Sequence, residues 1–143
     1  MEILLGLHNF TRWLVLLAGL TALVLAVRGG VYGPAHRAAG QAFVHSFTLQ
    51  LLLGLVLLFF SPFMQSLWAD PGAAMGLRET RFFVAEHWLG MVIALALAHI
   101  GSAQVRRAAT DGARHRQTLV FSGLSLLITL LSIPWWRPLL PGA

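Results

Sequence analysis

Long apolar stretches alternate along this chain with short segments rich in Gly, Pro and Arg. Four stretches stand out, over residues 4–27, 42–60, 82–100 and 119–136. Each is close to the ~20 residues that cross a ~30 Å hydrocarbon core. A bilayer accepts only helices or closed barrels, and the stretches lack the short alternating pattern of barrel strands. The pattern predicts an all-α fold: a transmembrane four-helix up-down bundle forming one membrane domain over 1–143. The first stretch does not read as a cleaved signal peptide, because Glu2 stands where a basic n-region would and Arg12 lies inside it. No internal repeat, low-complexity tract or separate soluble domain is evident.

Composition supports this reading. Of 143 residues, 57% are hydrophobic and 10% charged, against roughly 25% charged in a soluble domain. A soluble core of this size could not enclose so much apolar surface, and a disordered chain would be far more polar. Cysteine is absent, which excludes disulfides, thiolate metal sites and covalent c-type haem attachment. A bound metal would therefore rely on nitrogen or oxygen ligands.

The formal charge is +5, and all the basic residues are Arg. Nucleic acid is not the expected partner, because the charge sits in loops between apolar spans. Segments 28–40 and 101–117 together hold six Arg and one Asp. The opposite side carries as many acids as bases. The positive-inside rule puts those two segments in the cytoplasm and both termini outside. Trp13, Trp68, Trp88, Trp135 and Trp136 fall at or near the outer ends of the stretches, the ordinary place for tryptophan anchors.

Ionisable residues within a span point to function. Four of the six histidines lie there: His8, His45, His87 and His99. Matched by depth they form an outer pair, His8 with His87, and an inner pair, His45 with His99. His87 and His99 are twelve residues apart on one helix, which is ~18 Å along the axis and ~120° around it. One can then face the first helix and the other the second. Two imidazoles on facing helices are the axial ligands that a b-type haem needs in a bundle core, so two depth-matched pairs predict two haems b. Gly19, Ala22, Gly54, Gly90, Ala94, Ala98 and Gly101 could make room for the macrocycles, although close helix packing explains small residues more simply. Arg12, one turn from His8, is a candidate partner for haem propionates; Arg81 and Arg37 are others. Each could equally snorkel to headgroups.

The fourth stretch carries Thr118, Ser122, Ser125, Thr129 and Ser132 on one helical face, extended by His115. A polar packing face accounts for it better than a proton or quinone path. His36 and His115 read as solvated loop histidines, with inner-haem ligation or proton exchange at a quinone site as alternatives.

The segments LHNFTRWLVLLAG, HSFTLQLLLGLVLLFFSP, RFFVAEHWLGMVIALALAHIGSAQ and RHRQTLVFSGLSLLITLLSIPW resemble a family of small bacterial membrane proteins labelled cytochrome b. The resemblance covers nearly the whole chain. It implies haem b, electron transfer in the bacterial plasma membrane, and His8, His45, His87 and His99 as ligands. A looser likeness to four-helix di-haem cytochromes implies quinone or quinol as partner, respiratory-chain subunits as further partners, and a quinol-linked oxidoreductase or electron-transfer subunit as the role. The chain departs from those cytochromes in drawing its four histidines from three helices. Two other readings stand beside this one: a haem-free structural or assembly subunit of a respiratory complex, and a transition-metal carrier using neutral imidazoles.

The topology is directly testable. A periplasmic reporter fused after the last residue should be active and a cytoplasmic one silent. The reverse result contradicts the assigned orientation.

Overall fold

A computed structural model describes residues 1–137. Helix α1 spans Glu2–Arg28, with Glu2 in its first turn and Arg28 in its last, where each complements the helix dipole. Gly29 and Gly30 take positive φ values of 69° and 84°, which a side chain would resist. They turn the chain into α2, Pro34–Phe60. Two short helices follow, α3 (Pro62–Ala69) and α4 (Pro71–Gly76). Ser61 and Asp70 cap them by accepting from the N–H of Met64 and of Ala73. Helix α5, Arg78–Arg107, contains a π turn at Phe82–Glu86. Thr110 caps α6, residues 111–131, which has its own π turn at Thr118–Ser122.

The helices outrun the apolar stretches that predicted them. The second begins at Pro34 rather than 42, because Pro34 at the first helical position is pre-set for a helix and the alanine-rich segment after it extends one. The expected loop 28–40 thus shrinks to a tight turn. The expected loop 101–117 is mostly helix on either side of a break at 108–110. The expected loop 61–81 holds α3, α4 and the start of α5. The last stretch was expected to stay helical to Trp136, but α6 ends at Leu131. Ser132 still donates its N–H to Ile128 and Thr129, and Pro134 then disfavours helical geometry at the residue before it.

The described residues contain helices and no strand, and three helices, α1, α2 and α5, are long and apolar enough to cross a membrane. Helix α1 packs on α2 and α6, and α5 packs on the same two, so α1 lies diagonally from α5, and α2 from α6. The core at the centre is Val15, Phe43, Val44, Phe47, Ala94, Leu95, Ala98 and Leu126. Polar side chains turn inward: Thr11, Arg12, Gln50, Ser125 and Thr129 are buried, while Leu20, Leu52, Ile93 and Leu127 are exposed. That is the reverse of a water-soluble protein and suits hydrocarbon surroundings. The Ser/Thr face of α6 is inward as well. Ser125 Oγ donates to the Ala94 carbonyl at 2.7 Å and so ties α6 to α5, while Thr129 Oγ1 satisfies itself within α6 on the Ser125 carbonyl at 2.8 Å.

Gly19 sets how closely α1 meets its neighbours. A Cβ there would lie 2.8 Å from both the Leu126 and the Phe43 side chains. Gly19→Leu should overpack this contact and cost about 1–3 kcal/mol, seen as a lower melting temperature in detergent. An unchanged melting temperature would show that the close approach is dispensable.

Candidate functional site: a histidine pair at each end of the bundle

The starts of α1 and α5 and the ends of α2 and α6 share one end of the bundle. His8 and His87 meet there across the α1–α5 diagonal, with ring centres 6.4 Å apart and planes at 75°. The depth match expected from the sequence is therefore a real contact. The π turn places His87: its backbone N–H donates to Phe82 five residues back, an insertion that re-aims the side chains after it and recurs at functional sites. The ring of His87 is anchored by Nδ1–H, which donates to the Ser132 carbonyl at 2.6 Å. The lone pair is then on Nε2, the tautomer that a backbone carbonyl typically enforces on a metal-ligating histidine.

His8 is held differently. The Gln50 amide donates to the His8 backbone carbonyl at 3.0 Å, and the same nitrogen lies 3.2 Å from His8 Nε2. Thr11 contacts the other end of that amide. Nδ1 of His8 is buried without a hydrogen-bond partner. The ring rests against α2 at Gly54, where a Cβ would come within 3.1 Å of His8 Cε1. Arg12, one turn along α1, is buried and has its guanidinium carbon 5.7 Å from the centre of the Trp13 ring. Phe82 and Phe83 flank His87 at 5.8 and 6.1 Å, and Phe82 stacks edge-on to Trp136 at 4.8 Å. These rings pack around His87 at this end of the bundle.

His45 and His99 are placed otherwise. Both are exposed on the outward side of α2 and α5. Thr48 lies 3.2 Å from His99 Nε2, and its single hydroxyl proton goes to the Val44 carbonyl at 2.8 Å, so His99 donates to it. The structure does not bring the rings of His45 and His99 together.

The second contacting pair is His36 with His115, at the other end of the bundle, ring centres 5.0 Å apart. Sequence reasoning put both in solvated loops. The early start of α2 and the short break before α6 bring them inward instead, and His115 is only 8% exposed. Tyr32 lies against both rings, at 4.9 and 5.3 Å, and its hydroxyl lies 3.4 Å from that of Thr118. His115 Nε2 donates to the Gly30 carbonyl at 3.0 Å, which leaves the lone pair on Nδ1, a buried atom without a partner. At the mouth of this cluster the Tyr32 backbone N–H, with help from Arg114, holds the Asp111 carboxyl below its ordinary range. Asp111 therefore stays ionised and keeps its 2.8 Å ion pair with Arg114 at any near-neutral pH.

Among the described residues no three His, Cys, Asp or Glu side chains converge as a metal cage; the arrangement offers imidazoles in twos. No protein-family model, curated protein or solved structure matches the chain.

The native chain has no cysteine, so paired cysteines report proximity cleanly. His8→Cys with His87→Cys, treated with a short bifunctional thiol reagent, should gain the mass of one bridge. His45→Cys with His87→Cys should instead gain two singly attached reagents. A bridge in the second pair but not the first would contradict the placement of the histidines.

Proposed function

We propose that the chain is an integral-membrane b-type cytochrome of the bacterial plasma membrane. All four long helical runs cross the bilayer with both termini outside. It carries electrons within or across the membrane, between quinone and another redox partner, alone or as a subunit of a respiratory complex. The His8–His87 contact carries this reading. Two imidazoles on one metal, each bonded at about 2 Å, have ring centres roughly 6 Å apart, and these rings are at 6.4 Å.

Three further features fit the group. His8 Nδ1 is buried without a partner, and its Nε2 lone pair, which faces the Gln50 amide N–H at 3.2 Å, is the one a metal would take up. His87 presents a lone pair with its tautomer fixed by Ser132. Gly54 lets the His8 ring lie close against α2, where a side chain would crowd it. Haem bound there would supply a one-electron iron centre of adjustable potential. The protein's part is to hold the two imidazoles across the diagonal, to exclude water with Phe82 and Phe83, and to offer Arg12 as a buried cation for a propionate. A charge in low dielectric is costly without such a partner.

Absorption spectroscopy of the purified, dithionite-reduced protein tests the reading. The wild type should show sharp haem bands. His8→Ala and His87→Ala should each lose the share held by this pair, while Arg12→Gln should keep the bands and weaken haem retention. A colourless wild type, or full wild-type bands in both histidine variants, would contradict the proposal.

A further inference from the structure

The two histidine pairs are related along the sequence. His8 and His36 are 28 residues apart, and so are His87 and His115. A shift of 79 residues carries His8 onto His87, Arg28 onto Arg107, Gly33 onto Gly112, His36 onto His115, Arg37 onto Arg116 and Ser46 onto Ser125. Arg28 and Arg107 are also the last residues of α1 and α5. Burial follows the same shift: Val15 and Ala94, Ala22 and Gly101, Phe47 and Leu126, and Gln50 and Thr129 are all buried. So does packing, since α1 on α2 matches α5 on α6, and α1 on α6 matches α5 on α2. The repeat is invisible in the apolar residues, which interchange freely, and shows only once the contacts are known.

We infer that the chain is a two-helix hairpin present twice, and that His36 and His115 form a second bis-imidazole site, at the other end of the bundle from His8–His87, for the same planar metal cofactor. This inference rests on the cytochrome reading. Two copies of a hairpin arranged around a common axis bring equivalent residues face to face on that axis, and the α1–α5 and α2–α6 diagonals each do so with one histidine pair. The sites lie at opposite ends. His36 Nε2 reaches the Leu25 carbonyl, and Leu25 is seventeen residues beyond His8, or ~25 Å along α1.

The ligand chemistry is present on both rings. The Nε2–H of each is anchored on a carbonyl at the end of α1, that of His115 on Gly30 and that of His36 on Leu25. This directs the lone pair to Nδ1 in both. In His115 that atom is buried and unpartnered. In His36 it accepts the Gly33 N–H at 3.3 Å, a capping bond at the start of α2 as long as the Nε2 bond to Leu25, and a metal would have to displace it. The ring centres stand 5.0 Å apart, so exchanging the Gly33 bond for a metal and opening the pair by about 1 Å gives the spacing of a shared metal. The inner site expected at His45 and His99 moves, on this account, to His36 and His115.

The test measures haem per chain in full-length protein purified in detergent, with the reduced spectrum recorded for each variant. Wild type should hold two haems. His36→Ala and His115→Ala should each retain one, with the bands that His8→Ala removes still present as evidence of folding. His45→Ala and His99→Ala should retain two. His115→Gly should regain the missing band when free imidazole is supplied, which a merely structural histidine would not permit. A wild type with one haem, lost in His8→Ala and kept in His115→Ala, overturns this inference and leaves the cytochrome reading standing. Loss of one haem in His45→Ala or His99→Ala with two kept in His115→Ala also overturns it. A wild type with no haem overturns both.

Discussion

A neutral imidazole has one donor and one acceptor, and hydrocarbon offers a partner to neither. This constraint organises the interior of the protein. Placing histidines inside an apolar bundle requires each ring to be anchored on one side by something the bundle already contains, and the main chain is the nearest source. His87 uses Ser132, beyond the end of α6; His115 uses Gly30, beyond the end of α1; His36 uses Leu25 near that end. These anchors exist only where a helix has stopped or is about to stop and leaves carbonyls without intrahelical partners. The early stop of α6 at Leu131 therefore supplies the acceptor that fixes the His87 tautomer.

The anchors answer half of each ring's requirement; the other nitrogen of His36 takes the Gly33 N–H. In His115 that nitrogen, and in His8 the Nδ1–H opposite the Gln50 contact, is buried without a partner, which in a low-dielectric interior costs on the order of 1–3 kcal/mol each. A bundle that merely packed would have little reason to keep such groups, since an apolar residue of similar size would serve better. A bundle that holds a metal cofactor would use the imidazole lone pairs as ligands. The rest of the architecture is consistent with that use: glycine at position 54 where a side chain would crowd His8, Ser125 tying α6 to α5, and π turns beside His87 and after His115.

Much of the fold was legible because hydrophobic length is a one-dimensional property. The apolar stretches marked where helices run, and the spacing of Thr118, Ser125 and Thr129 marked an inward face. The depth match of His8 and His87 was legible for the same reason. Helix starts were harder to read. Pro34 reads as a loop residue when the eye follows hydropathy, yet at a first helical position it begins α2 and carries His36 into the bundle. His45 and His99 matched in depth too, but depth says nothing about azimuth. A single helical step of ~100° separates an inward ring from a lipid-facing one, and both turned outward. Interchangeable apolar residues hid the repeat.

The central claim is that each diagonal pair of histidines holds one haem. The most direct measurement is the amount of haem b and iron per polypeptide in the purified wild-type protein, with protein quantified by amino-acid analysis. The account predicts two of each per chain. One or none would contradict it.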